Sequence, residues 1–284
     1  MRFTVSSTAL STKLVALSRV INSKNALPIL GDFVFEISGN TLRLTASDGE
    51  NTMQSTVELA ESDGDGRFAV GNHDLLEAVK GFSEQPLIFD VDLQANMVKI
   101  NYQNGLFSLP TENADEYPAA QVVGNGASVI VISNQLLNEN INRSLFATAS
   151  DELRPVMNGI YFDLTADCLA VVASDGHKLV RNRIYSIKSD QPAAFILPKK
   201  PASLLKNLLG KDAGDVTIRF DERNAEIAFS DGTIKCRLIE GRYPNYNSVI
   251  PQNNSNELRI DRNGLLAALE CPAQFFYKQA GICQ

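Results

Sequence analysis

Leu27-Pro28-Ile29-Leu30, Phe33-Val34-Phe35-Glu36 and Ala46-Ser47-Asp48-Gly49 return later in the chain as Arg154-Pro155-Val156-Met157, Ile160-Tyr161-Phe162-Asp163 and Ala173-Ser174-Asp175-Gly176. Every pair is 127 residues apart, with no gap from the first pair to the last. Chance does not hold a register over such a length, so the chain contains a duplicated unit. The register extends both ways. Leu10 and Leu14 correspond to Leu137 and Ile141, Phe68 to Phe195, and the turn Gln103-Asn104-Gly105 to Ser230-Asp231-Gly232. Tyr117-Pro118 and Tyr243-Pro244 are offset by 126, so one residue is lost just before them. A period of this size is a whole domain rather than a solenoid repeat.

A third copy begins at Glu257-Leu258-Arg259-Ile260-Asp261, read as a strand, followed by Leu265, Leu266 and Leu269 on a helix, in the pattern of Ser128 to Leu137. The reading is three segments: 1–123, 129–251 and the start of a third unit at 257–284. So short a third segment is expected to lack a core of its own. The linkers, Gly124 to Ser128 and Gln252 to Asn256, carry no large apolar side chain.

Within a unit, the hydrophobic period switches between two and 3.6. Phe3 and Val5 alternate with polar residues, and Leu10, Leu14, Leu17 and Ile21 then follow helical spacing. Strands are expected at Asp32–Ile37, Thr41–Ala46 and Asn51–Val57, the first two joined by Ser38-Gly39-Asn40. Phe68-Ala69-Val70 opens the second half. A helix over Asp74–Phe82, with Asp74 as its N-cap, precedes strands around Leu87 to Val91 and Val98 to Tyr102. The second unit predicts helices near Asn134–Phe146 and Pro201–Leu209, with Pro201 at the first helical position. The fold class is α+β, with two helices packed on antiparallel sheet in each unit.

The chain has 284 residues, 44% of them hydrophobic, enough for two ordinary cores. No apolar run has the length of a membrane span and no leader precedes the first strand, so a soluble, cytoplasmic protein is expected. Cys168, Cys236, Cys271 and Cys283 show no metal-ligand spacing, and Cys168 and Cys236 fall in strand patterns. With two histidines, a His-rich metal site is excluded; no metal and no cofactor are expected. Asp48-Gly49 and Asp175-Gly176 read as tight turns rather than catalytic carboxylates, since no second carboxylate recurs at fixed spacing. His177 has no nucleophile motif beside it, and no nucleotide-binding loop is present. No carboxylate cluster suits a two-metal nuclease.

Net charge is −7, which as a mean argues against nucleic acid. The cations, however, gather on or beside the four helices: Lys13, Arg19 and Lys24 at the first, Lys80 at the second, Arg143 on the third, and Lys199, Lys200, Lys206 and Lys211 around the fourth. Helices repeated along one surface would present these cations to phosphate without regard to sequence.

The chain resembles the bacterial DNA polymerase III beta subunit, the sliding clamp. The resemblance rests on Met1-Arg2-Phe3-Thr4-Val5, Leu27-Pro28-Ile29-Leu30-Gly31, Ala173-Ser174-Asp175-Gly176-His177-Lys178-Leu179 and Gly241-Arg242-Tyr243-Pro244-Asn245-Tyr246, in the family's order and spacing as far as about Leu269. It implies the DNA clamp fold, three similar domains per subunit, and two subunits in a head-to-tail ring. Helices line the hole and sheets form the outside. The ring encircles duplex DNA and tethers the polymerase; it makes and breaks no bond. The DNA contacts implied by position are Lys24, Lys80, Lys199 and Lys200; Arg143 and Lys206 join them as expected contacts from the clustering of cations on the helices. His73 stands where the family often has a basic residue, and Asp151, Pro155 and Val156 replace side chains that touch DNA in some relatives. The implied partner-peptide pocket comprises Arg154, Met157, Ser174, Gly176, His177, Lys178, Leu179, Pro244, Ser248 and Val249, with Ser248 where a basic residue is common. Implied partners are duplex DNA, the polymerase III catalytic subunit, the clamp loader and other proteins carrying a clamp-binding peptide.

From Glu270 the sequence, including Phe275-Phe276-Tyr277, departs from the family. A frameshift or broken gene end is the expectation drawn from that. The family homodimer notwithstanding, this chain is expected to be mainly monomeric; a truncated clamp fragment that forms no ring and acts only as a peptide-binding scaffold is the alternative reading.

Overall fold

The structure is a computed structural model describing residues 1–25, 27–209 and 213–270. It divides into two compact units, Met1–Tyr243 and Pro244–Gln284.

The first unit holds both repeats. In repeat one, β1 (Arg2–Ser6) leads into α1 (Ser7–Ser18). Then come β2 (Asp32–Ser38), β3 (Thr41–Ser47), β4 (Asn51–Glu58), the short β5 (Glu61–Ser62) and β6 (Gly66–Gly71). After α2 (Asn72–Lys80), β7 (Pro86–Asp92), β8 (Met97–Tyr102) and β9 (Gly105–Glu112) complete it. Repeat two runs β10 (Ser128–Ser133), α3 (Asn134–Leu145), β11 (Gly159–Leu164), β12 (Leu169–Ser174), β13 (Leu179–Ile184), β14 (Ala193–Pro198), α4 (Lys199–Leu208), β15 (Asp215–Phe220), β16 (Asn224–Phe229) and β17 (Gly232–Arg237). The 127-residue offset holds at both ends of α1 and α3, of β6 and β14, and of β8 and β16.

The duplication reaches single contacts. Ser6 Oγ accepts the Ala9 N–H at 3.1 Å, and Ser133 Oγ accepts the Leu136 N–H at 3.3 Å, so both first helices carry the same serine N-cap. Leu10 and Leu14 are fully buried, as are their counterparts Leu137 and Ile141. Phe35 stacks on Phe68 with ring centres 5.2 Å apart, and Phe162 on Phe195 at 4.7 Å. Asp48 and Asp175 are both half-buried. In each Asp-Gly turn the carboxylate accepts the two N–H groups that follow the glycine, whose φ is +93° at Gly49 and +92° at Gly176. That left-handed conformation is what glycine is needed for there. The turn reading of both aspartates therefore stands.

Two helix starts differ from expectation. The second helix begins at Asn72, with Gly71 at the N-cap and Asp74 inside the first turn. There Asp74 complements the positive helix end instead of capping it. The fourth begins at Lys199, with Pro198 at the N-cap, so Pro201 is its third residue. A first-turn N–H has no intrahelical acceptor, so proline costs nothing at either place.

Thirteen strands form one antiparallel sheet in the order β10-β15-β16-β17-β4-β3-β2-β6-β9-β8-β7-β1-β5. The repeats join where β17 pairs with β4, Thr233 opposite Gln54 and Cys236 opposite Asn51. Gly232 enters this ladder so closely that a Cβ there would lie 2.1 Å from the Gln54 carbonyl oxygen. In repeat one, β6 also pairs with the end of β9 through Ala69–Glu112 and Val70–Thr111. The equivalent contact in repeat two is a bond from the Ile239 N–H to the Ile196 carbonyl at 3.1 Å, and β13-β12-β11-β14 form a separate sheet. Cys168 and Cys236 are buried free thiols, the latter pushed up to about 12 by burial. Cys271 and Cys283 lie outside the described residues, as do Lys211 and Phe275-Phe276-Tyr277.

The second unit opens with a turn at Tyr246–Val249 and continues without regular structure through residues 250–261. Residues 262–270 are helical. The strand expected at Glu257–Asp261 is not formed. An isolated apolar strand has no ladder to satisfy its backbone and is not stable alone. Leu258 and Ile260 are 77% and 55% exposed.

Candidate functional site

The four long helices of the first unit form one row. α1 packs on α2, α3 packs on α4, and α1 faces the end of α4 across a cleft of about 370 Å³ lined by Thr12, Val15, Arg19, Met53 and Leu208. The row α2-α1-α4-α3 follows from the duplication, because the β17–β4 ladder sets the two helix pairs side by side.

The six cations expected to meet phosphate differ in how free they are. Lys24, in the turn after α1, and Lys206, in the last turn of α4, are exposed and make no ion pair among the described residues. Lys80 ends α2, 3.9 Å from Glu77, and Arg143 pairs with Glu139 at 3.0 Å one turn back. Both pairs are exposed and hold their cations weakly. Lys199 donates to Ser150 Oγ. Lys200 is different: its Nζ lies 2.6 Å from Asp48 Oδ2, 2.6 Å from the Val20 carbonyl and 2.5 Å from Asn22 Oδ1. An ammonium has three N–H donors, and all three are used.

Burial of Asp48 pushes its carboxyl up, but the Lys200 ammonium and the Asn51 backbone and amide N–H groups outweigh burial and hold it below the ordinary carboxylate range. His73 is exposed beside Asp74 at 3.3 Å. Asp151 staples its own loop. It accepts the Leu153 N–H and the Arg154 Nε–H, both at 2.9 Å, while Asn158 bridges its backbone. Leu153 at the tip of that loop is 91% exposed.

The residues expected to form a partner pocket come from two places in repeat two. Arg154 and Met157 flank the turn Pro155–Met157; Ser174, Gly176, His177, Lys178 and Leu179 span the end of β12, its turn and the start of β13. Chain folding brings these places together. A Cβ on Gly176 would lie 2.9 Å from Arg154 Nη1, so the guanidinium lies directly over the glycine. Ser174 Oγ donates to the Lys178 carbonyl at 2.9 Å and accepts the Gly176 N–H at 3.1 Å, which fixes the turn. Lys178 Nζ sits 2.6 Å from Asp175 Oδ2, and that ion pair, with the Lys178 and His177 N–H groups, holds the Asp175 carboxyl well below the usual range.

His177 and Lys178 are exposed, Leu179 is half-buried and Met157 is buried. Met157 is held by its N–H to the Arg154 carbonyl, and its own carbonyl accepts from Ala149, so it is the floor of this region rather than its rim. Pro244, Ser248 and Val249 belong to the second unit, where Ser248 Oγ donates to the Asn245 carbonyl at 2.7 Å and Val249 is 67% exposed.

Sequence reading missed a further cleft of about 400 Å³ lined by Tyr161, Ile196, Glu222, Ile239, Arg242 and Tyr243. Tyr161 and Tyr243 stack there at 4.7 Å with rings 2° from parallel. The repeated Tyr-Pro pair was the available signal, since a tyrosine kept in both copies marks a shared packing role. Among the described residues, no three His, Cys, Asp or Glu side chains converge as metal ligands, and no helix is long and apolar enough to cross a membrane.

Residues 1–121 match the family model of the DNA polymerase III beta subunit N-terminal domain, and residues 131–245 match that of its central domain. The chain belongs to the DNA polymerase III beta subunit family. The beta sliding clamp of Pseudomonas putida is 26% identical over 269 residues, covering 94% of this chain and 73% of that protein. The crystal structure of the Pseudomonas aeruginosa DNA polymerase III subunit beta superposes with a TM-score of 0.82 at 26% identity, covering 89% of this chain and 68% of that one. The Helicobacter pylori beta clamp, solved bound to a DNA ligase peptide, shares the fold with a TM-score of 0.79 at 22% identity, covering 89% and 70%. Membership fits the α+β reading of tandem units with helices on antiparallel sheet, and favours a clamp over a scaffold that only binds peptides. In this family the subunit is a processivity factor and an accessory, not an enzyme.

Proposed function

We propose that this chain encircles duplex DNA as a cytoplasmic sliding-clamp subunit and tethers the polymerase III catalytic subunit within a nucleotidyltransferase complex, adding processivity and no chemistry of its own. The observation that carries this reading is the row of four helices, bearing exposed cations, built from two repeats that each match a clamp domain model. Lys24, Lys80, Arg143, Lys199 and Lys206 are the phosphate contacts in this proposal. They are single cations spread along the helix row, so binding is weak, indifferent to sequence and steeply dependent on salt.

The Arg154–Gly176 corner, with His177, Lys178 and Leu179, is the proposed seat for clamp-binding peptides of the polymerase and the clamp loader. Peptides of this kind bind through side-chain anchors in an apolar cleft. Retention on DNA tests the reading. A clamp loaded on nicked circular DNA stays with the circle through gel filtration and leaves when the circle is cut. Equal loss from circular and linear DNA speaks against encirclement.

A further inference from the structure

Two lysines of the helix row are held in ion pairs that cross between the repeats, and the way they are used is reciprocal. Lys13, on α1 of repeat one, reaches Asp231 in the Asp-Gly turn between β16 and β17 of repeat two at 2.8 Å. Lys200, at the start of α4 of repeat two, reaches Asp48 in the Asp-Gly turn after β3 of repeat one at 2.6 Å. Each repeat thus gives one helix lysine to an Asp-Gly turn of the other. The two ion pairs flank the β17–β4 ladder, and Ser55 Oγ of β4 also donates to the Asp231 carbonyl at 2.5 Å.

The duplication provides an internal control. One period away, Lys13 corresponds to Asn140, which spends its amide on the Leu136 carbonyl of its own helix. Lys200 corresponds to the exposed His73, Asp231 to Asn104, and Asp48 to Asp175, which binds Lys178 within its own turn. The four residues therefore form this arrangement only at the junction.

We propose that Lys13–Asp231 and Lys200–Asp48 are a reciprocal lock that fixes the angle between the two repeats, and that Lys200 is a positioning residue rather than a phosphate contact. The angle between repeats sets the line of the helix row, so the lock serves DNA retention through shape. The two halves differ in robustness. The Asp48 side chain is 5% exposed, whereas Asp231 is 58% exposed, so salt weakens the second pair and spares the first.

The DNA role of the lock rests on the clamp reading; the lock itself does not. The test uses the full chain with Lys200→Met, Lys199→Met, Lys24→Met, Lys13→Glu, and Lys13→Glu combined with Asp231→Lys. Each is measured by thermal unfolding and by salt-dependent anisotropy of a labelled duplex. Lys200→Met should lower Tm by about 5–10 °C, because Asp48 loses its partner in a mostly buried site, and should leave the salt slope unchanged. Lys199→Met should lower the slope by about 0.9 with Tm nearly unchanged. The Asp231→Lys partner should restore the Tm that Lys13→Glu loses. The lock is overturned if Lys200→Met lowers the slope as Lys199→Met does while Tm holds, or if the charge swap restores nothing. If Lys199→Met and Lys24→Met both leave the slope unchanged, the DNA reading fails, and the lock stands or falls on Tm and the swap.

Discussion

Two aspartates at the ends of neighbouring strands are pushed in opposite directions, and stability should follow each with opposite sign. Asp32 opens β2, where burial, and then the Glu112 carboxylate, raises its carboxyl to about 6. A carboxyl raised in the folded state is more easily ionised in the unfolded one, so it lowers stability as pH climbs from about 4 through 6. Asp32→Asn should therefore raise Tm at pH 7.5, with much of that gain gone at pH 5; an equal gain at both values would show that the effect is not ionisation. Asp48, held below its ordinary value, contributes stability that is present above the unfolded pKa near 4 and lost as pH falls below it. Asp48→Asn should cost stability at neutral pH and little near pH 2.5. Sequence alone made Asp48 a turn residue, which it is. Its second oxygen, taken by a lysine in the other repeat, was not legible, because nothing local marks a partner so distant in the chain. The ion pair that Lys200 makes was not legible for the same reason.

Elements were read well where periodicity is strong and poorly where one residue decides a boundary. The 127-residue register located α1 and α3, and their buried Leu10, Leu14, Leu137 and Ile141 follow from spacing. The caps did not follow, since nothing in the sequence sets Ser6 and Ser133 apart from the other serines of the chain. Ser133→Ala should destabilise repeat two by about 1 kcal/mol, and Ser6→Ala repeat one by a similar amount, in urea titrations. Unequal costs well beyond that scale would mean that the two caps are not equivalent. The strand expected at Glu257–Asp261 failed because alternation supplies a face but not a neighbour to bond. At the Arg154–Gly176 corner, resemblance supplied the residues, while the structure supplied the reason glycine suits the turn: its φ is +92°, and the Arg154 guanidinium packs over it. Leu179→Ser should weaken a titrated polymerase peptide about tenfold, the scale of one anchor in a pocket. An unchanged Kd would move the peptide site elsewhere.

At the scale of the whole first unit, one sheet runs through both repeats, and unfolding should be cooperative across them. Calorimetry should give one transition for residues 1–243, not two. Gly232→Ala should cost at least about 1–3 kcal/mol, since its Cβ would meet the Gln54 carbonyl, and should split that transition by loosening the β17–β4 ladder. A single unchanged transition would show that the lysine pairs alone suffice to couple the repeats. The joint also bears on protein engineering. The hairpins at Gln103-Asn104-Gly105 and Ser230-Asp231-Gly232 are equivalent by descent, yet Leu106 beside the first is 52% exposed, while the second is wedged against Ser55 and Lys13 of the other repeat. An epitope or fluorophore loop grafted at Asn104 should be carried silently. The same graft at Asp231 would prise the molecule open at its seam.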